Sequence, residues 1–375
     1  MNKSFTKTII SLSMLTIVIC LFSFCTPFCN FYTNFIFPVI NSALVYLTRW
    51  CPVAIGELIM YLAGISLIME IVFLLIFIFL HKRPKFKAFF KTYSRFLLFF
   101  FVLSLFVYSI TWFIPFRASV YVVDKDGPTS FSETTLLEMY ENVVNEINEL
   151  AYQVERDENG HLVMNDIDKR VMDALCESRD LFPRFKGPFS PIKTALCSDW
   201  LHWMGIGGYN YPYTMEPTVN KYVSLFYYPV LAAHELCHHK GYEQECEGEY
   251  ISIIALSRSS DKLLRYLGLC EAFDYINIAT FKDMDLDVLK AIYPTVTKLN
   301  QIVFDDRNYY DNLAIDYYQN TVDTEKENAF SEITGDISDI GWNIQDNILK
   351  ENSYSGATLM LLQYFYNELP NKKNK

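Results

Sequence analysis

Residues His234, Glu235, Leu236, Cys237 and His238 spell His-Glu-x-x-His in a chain with six histidines, three of which fall between positions 234 and 239. Helical residues four apart share a face. The two imidazoles can therefore converge on one Zn²⁺ while Glu235 sits beside it to activate a water. This is hydrolase chemistry: Glu235 would take a proton from the attacking water and later deliver it to a leaving amine. A catalytic zinc usually takes three protein ligands and keeps a fourth position open. Candidates for the third ligand are Glu245, Glu247 and Glu249. They follow Gly241, where the chain can reverse sharply. Glu245 and Glu249 share one helical face, so Glu245 can ligate while Glu249 orients a histidine from behind; Glu247 points elsewhere and is the second choice. Against the metal stands the reading that the pentad is a plain polar helix face. His239 is expected to face solvent or cap the helix end. Cys237 and Cys246 are expected to pack as small apolar groups rather than to ligate as thiolates.

The elements that must position these residues are mostly helical. Pro229 suits a first helical turn, Val230 to Lys240 would carry the histidines, and Gly241 would stop that helix. A second helix is predicted from Glu243 through Leu256. Apolar periodicity adds helices over Thr129–Ala151, Ile167–Glu177 (capped by Asn165 or Asp166), Leu263–Phe273, Leu286–Tyr293, Leu299–Phe304 and Ala357–Leu369. Ala118 to Val123 reads as a short strand before the turn at Asp126-Gly127-Pro128. The Gly- and Tyr-rich stretch Trp200 to Asn220 is either an edge strand and loop beside a cleft, offering backbone groups to an extended substrate, or an irregular loop packed by its tyrosines. Tyr209, Tyr211 and Tyr213 are candidates to hold an oxyanion.

With 51% hydrophobic residues, the chain leans toward membrane attachment. The apolar runs concentrate before residue 117, at Ile9–Cys29, Leu58–Leu80 and Phe96–Phe116, each long enough to cross about 30 Å of hydrocarbon. The stretch after Leu21 lacks a small-residue cleavage site, so the first run reads as a retained anchor. Asn30 to Gly56, nearly uncharged and aromatic, reads as an interfacial helix on the outer surface. Glu70 would sit mid-membrane, in a helix-helix hydrogen bond or a proton relay. The loop from His81 to Arg95 carries six Lys or Arg and no acid, so it and the amino terminus should be cytoplasmic. Three crossings then place residues 117–375 outside the cell membrane.

Beyond residue 116 there are 41 acidic and 23 basic residues. That imbalance excludes a nucleic-acid partner, which needs a basic footprint. It also disfavours lying flat on anionic lipid. Nine cysteines lack paired zinc-knuckle spacing; Cys176 and Cys197 could form a disulfide in an oxidising compartment.

Two stretches carry a resemblance. One is Gly208-Tyr209-Asn210-Tyr211-Pro212-Tyr213-Thr214-Met215-Glu216-Pro217-Thr218-Val219-Asn220. The other runs from His234 through Gly241, Tyr242, Glu245, Glu247, Gly248 and Glu249. Together with Phe37-Pro38-Val39-Ile40 and Cys51-Pro52, they resemble a family of bacterial membrane-anchored zincin-like proteins with a domain of unknown function. The spacing after the pentad also looks like the Glu-x-x-Ala-Asp pattern of the gluzincins, with Gly248 and Glu249 in the last two places. The metzincin pattern would want a third histidine where Gln244 stands. Met215, Gly248 and Glu249 depart from the family's residues. The resemblance implies a zincin-like fold and metallopeptidase activity, and it adds Glu216 and Asn220 to the site region. On the residues alone, Glu216 could salt-bridge locally and Asn220 could cap a helix.

The expectation is thus a mainly α protein: three transmembrane helices in residues 1–116, then an extracytoplasmic zincin-like domain, 117–375, with a small β component. It would be a zinc metallopeptidase acting on a peptide or protein substrate. The alternative is a non-catalytic membrane protein whose zinc site, saturated by four ligands, supports binding of an extracytoplasmic partner.

Overall fold

The computed structural model describes residues 3–121, 123–322 and 354–369. The chain divides into two compact units, one comprising Met1–Ser119 with Asn210–Glu216, the other Val120–Tyr209 with Pro217–Lys375.

The amino-terminal unit is helical. Its elements are α1 (Lys3–Phe22), α2 (Thr26–Phe31), a π-helical stretch Tyr32–Ile36 continuing into α3 (Phe37–Thr48), α4 (Ile55–Leu80), and α5 (Pro84–Tyr108), which runs through a π-helical turn into α6 (Ile114–Phe116). Four helical segments are long and apolar enough to cross a membrane: Phe5–Phe22, Thr26–Thr48, Ile55–Leu80 and Pro84–Phe116. The sequence reading counted three such segments and took the stretch holding most of the fourth, Thr26–Thr48, as interfacial. The apolar run Ile9–Cys29 is not one helix, because the chain breaks at Ser23–Cys25 and restarts with Pro27 in the first turn of α2. The segment read as interfacial is itself long and apolar enough to qualify. Glu70 accepts a hydrogen bond from the Ser94 hydroxyl at 2.7 Å, so α4 and α5 share the helix-helix contact expected of it.

In the carboxy-terminal unit come α7 (Glu133–Leu150), α8 (Ile167–Glu177), β1 (Lys193–Thr194), α9 (Ser198–Trp203), β2 (Gly208–Tyr211), β3 (Glu216–Val219), α10 (Tyr228–His239), α11 (Glu245–Ser257), α12 (Lys262–Phe281), α13 (Leu286–Ile292), α14 (Gln301–Thr321) and α15 (Tyr354–Glu368). The strands form one sheet in the order β1-β3-β2, with β1 parallel to β3 and Lys193 opposite Thr218. Between β2 and β3 the chain turns through Pro212–Met215, and this tip groups with the amino-terminal unit. Ala118 to Val123 forms no strand among its described residues; Tyr121 instead gives its backbone N–H to the Glu247 carboxylate.

Two apolar clusters hold this unit. One joins α7 and α12 through Val143, Val144, Ile147, Tyr266 and Leu267. The other joins α8, α10, α11 and α15 through Leu175, Leu236, Ile251, Ile254 and Leu361. Every residue of α11 from Cys246 to Ser257 is buried, the position of a helix apolar on nearly all sides. Its glutamates Glu247 and Glu249 are therefore buried, while Glu245 at its start stays partly exposed.

Candidate metal centre

The helix α10 begins at Tyr228 with Pro229 in its first turn and ends at His239. Gly241 follows with φ +82°. Gly241 donates its N–H to His238 O and Tyr242 to Cys237 O, closing the last turn in a Schellman motif that only a residue tolerant of the left-handed region accommodates cheaply. The Arg184 guanidinium holds the turn from outside, donating to Gly241 O at 2.7 Å and lying over the Tyr242 ring. The reversal brings the start of α11 back against the face of α10 that carries the histidines.

His234 Nε2 and His238 Nε2 lie 3.1 and 3.7 Å from the same Glu245 oxygen. One ligand atom from each of the three residues falls within 4.8 Å of the others. Each imidazole is oriented from behind. His238 Nδ1 donates to the carbonyl of Tyr242 at 2.8 Å, and His234 Nδ1 faces Glu249 at 3.2 Å. Both Nε2 atoms are thereby presented to Glu245. The hydroxyl of Tyr275, on α12, donates to the other Glu249 oxygen at 2.8 Å and completes a chain Tyr275–Glu249–His234. Gly248 packs beneath the His234 ring, where an added Cβ would come within 2.9 Å.

Glu235 is buried, and its Oε2 has no hydrogen-bond partner among the described residues. Burial raises its pKa to about 7 against the lowering influence of the two histidines. Burial disfavours charge on His238, but Glu245 overcomes it and lifts the imidazole to about 9; His234 is likewise raised by Glu245 and Glu249. Glu245 meets the opposite balance: burial would raise it, and the two imidazoles hold it well below the usual carboxylate range. Without a metal, these charges satisfy one another.

Two nitrogens and a carboxylate suit zinc. Tetrahedral bonds of about 2.1 Å set ligand atoms about 3.4 Å apart, close to the two separations from Glu245. Neither cysteine thiol belongs to the group; Cys237 packs in the apolar cluster with Leu236 and Ile254, and Cys246 is buried too. The edge strand β2 starts beside the pentad: a Cβ on Gly208 would meet Glu235 Oε1 and Thr218 O at 2.9 Å each.

The other sequence-derived candidates lie elsewhere. Glu247 accepts the Tyr121 N–H at 2.6 Å and does not join the ligand group. Asn220 accepts from the Tyr222 N–H and donates to Ile206 O, a local turn rather than a helix cap. Glu216, Tyr211 and Tyr213 fall in the amino-terminal unit; of the three tyrosines, only Tyr209 shares the pentad's unit. Glu216 accepts from the Gly56 N–H at 2.8 Å and the Thr214 hydroxyl at 2.6 Å. His239 is buried rather than solvent-facing and accepts the Ser190 N–H at Nε2. Cys176 and Cys197 are not joined in a disulfide. Sequence reasoning missed Tyr275, Arg184 and the approach of Gly208. No local spacing announces a contact from a helix 26 residues downstream.

A family described as "Protein of unknown function (DUF3810)" matches residues 32–333, most of the chain. The chain belongs to this family. The match spans α3 to α5 as well as the pentad and the carboxylates of α11, so membrane helices and candidate centre both lie within the DUF3810 region. No curated protein and no solved structure matches the chain.

Proposed function

We propose that this DUF3810 chain is a membrane-anchored zinc metallopeptidase of zincin type. The observation that carries the reading is the convergence of His234, His238 and Glu245 on one point beside a buried Glu235 whose Oε2 has no hydrogen-bond partner among the described residues. His234, His238 and Glu245 would hold the metal, with Glu249 and the Tyr242 carbonyl fixing the rings. When bound, zinc supplies a Lewis acid that acidifies water toward neutral pH and polarises a carbonyl. Glu235, buried beside the two histidines, would take a proton from water and return it to a leaving amine. Strand β2, at the edge of the sheet and beginning against Glu235, offers its backbone to an extended peptide by strand addition. Three protein ligands leave room for water, which favours catalysis over a saturated structural site. The basic loop between α4 and α5 supports a cytoplasmic position for it, and with three crossings an extracytoplasmic carboxy-terminal unit.

Purified full-length protein, loaded with zinc and offered a broad peptide library, tests this. One equivalent of zinc and cleavage that disappears in Glu235→Gln with zinc retained is the expected result. Zinc retained with no cleavage by the unmodified chain would turn the reading to a structural metal; absence of zinc binding would end both.

A further inference from the structure

Four segments have the length and hydropathy to cross a bilayer, but packing within the amino-terminal unit fixes which of them can. Phe5 of α1 packs against Phe96 and Phe99 of α5, while Cys20 near the other end of α1 meets Ser109 beyond the end of α5. These two helices run parallel. Helix α4 runs antiparallel to α5: Phe77 packs on Phe90, Phe73 on Tyr93, and the Tyr93 hydroxyl donates to Ser66 O. Two parallel spanning helices with one antiparallel helix between them in sequence need one reversal on each side. A further crossing between α1 and α4 would force α1 and α5 to oppose each other.

The ends of Thr26–Thr48 say the same. Its start sits at the far end of α5, where the Tyr32 hydroxyl donates to Ile110 O and Asn30 exchanges two hydrogen bonds with Ser119. Its finish leads within seven residues to Ile55, and seven residues reach at most about 25 Å. The beginning of α4 lies at that same end of the bundle: Gly56 donates to Glu216, and the tip carrying Glu216 also accepts from Thr111 at Pro212 O. A segment tethered at both ends to one side of a core about 30 Å thick does not traverse it.

We infer that Thr26–Thr48 lies in the plane of the membrane, in the headgroup boundary on the side where α5 ends, with the lipid bilayer as the occupant of its outer face. One stripe, Cys29, Thr33, Phe37, Asn41, Val45 and Thr48, repeats at nearly every fourth residue and is buried. The opposite face shows Phe31, Phe35, Val39, Tyr46 and Leu47, with Phe24 and Trp50 flanking it, all more than half exposed. Arg49 lies over Tyr46 and Arg117 over Phe24, pairing cations with aromatic rings at the level of lipid phosphates. The chain crosses three times, and residue 119 emerges on the side opposite the start of α1.

Short protease sites inserted after Ser23, Pro52 and Lys82 of the full-length chain, in vesicles of known orientation, test the threading. Cleavage at the first two from one side and at the third only from the other is expected. Cleavage of the Pro52 and Ser23 sites from opposite sides would overturn it. An independent test keeps Trp50 as the single tryptophan, with Trp112, Trp200, Trp203 and Trp342 changed to Phe, and uses vesicles of brominated phosphatidylcholine. Shallow bromines should quench Trp50 several-fold more than mid-chain bromines. Stronger quenching by the deep bromines, or none by either, would refute an in-plane helix.

Discussion

Glu216 and Glu235 are both buried carboxylates in the stretches that carry the family resemblance, yet they live in differently made surroundings. Glu216, in the amino-terminal unit, accepts from a backbone N–H and a hydroxyl. Glu235, in the carboxy-terminal unit, keeps one buried oxygen without a hydrogen-bond partner among the described residues and a pKa raised to about 7 by burial. Donors aimed at a carboxylate fix it as structure, because burying it unsatisfied costs more than the bonds return. An acid kept short of donors can still exchange a proton. The contrast teaches that burial marks both residues, and hydrogen-bond satisfaction separates them.

The sharpest way to break the comparison is to make the same change in both units. Glu235→Gln should lower peptide hydrolysis by about 10²–10⁴-fold, the usual share of a general base, with zinc content unchanged. Glu216→Gln should leave turnover within a few-fold and lower the melting temperature instead. If the two variants exchange these phenotypes, the assignment of roles is wrong. Next in size, Glu249→Gln should weaken zinc affinity by roughly 10–100-fold, measured by competition with a chelating dye, and Tyr275→Phe should weaken it by less, in the same direction. A Tyr275→Phe effect on stability alone, with zinc affinity intact, would detach α12 from the centre.

Gly208→Ala puts a Cβ against the Thr218 carbonyl and the Glu235 carboxylate. Overpacking of this kind costs about 1–3 kcal/mol in chemical denaturation. Activity should fall further than stability explains, since Glu235 is displaced.

The smallest effect is a pH dependence of the metal-free chain. His238 is raised to about 9 by Glu245, so its pairing contributes in full below the ordinary imidazole value near 6.5 and fades as pH climbs through about 9. Glu245 is depressed, so its contribution is present above the ordinary carboxylate value and fades as pH falls below it. Chelator-treated protein should therefore melt highest near pH 5 to 6.5 and lower toward pH 9. Zinc uptake should run the other way, strengthening with pH and releasing protons, because ligating imidazoles must be neutral. A melting temperature flat across that window would break the pairing of His238 with Glu245.

Much of the candidate site was legible in the sequence because its parts are local. The pentad fixes His234 and His238 on one face through helical periodicity alone, and Gly241 marks the reversal because few other residues accept its φ. The spacing of Glu245 and Glu249 put these two carboxylates on one helical face, and the fold then set the first at the imidazole tips and the second behind His234. Helix α8 was read at its observed bounds, Ile167–Glu177, since its apolar stripe is clean. Both α12 and α14 run well past the segments read from periodicity; α12 continues to bury Ile276 and Thr280, whereas α14 beyond Tyr310 is mostly exposed. The strand expected at Ala118–Val123 failed because Tyr121 spends its N–H on Glu247, a partner 126 residues away.

The sequence by itself determined the His-Glu-x-x-His spacing of His234, Glu235 and His238, the helix that carries them, and the concentration of apolar helices before residue 117. Only the tertiary structure decided that Glu245 is the acid meeting both histidines, that Tyr275 stands behind Glu249, that Glu216 is satisfied and Glu235 is not, and that α1 and α5 run parallel. Helical periodicity and backbone preference act over a few residues and are written in the chain. Convergence of groups from separate helices depends on how apolar faces pack, which no local spacing encodes.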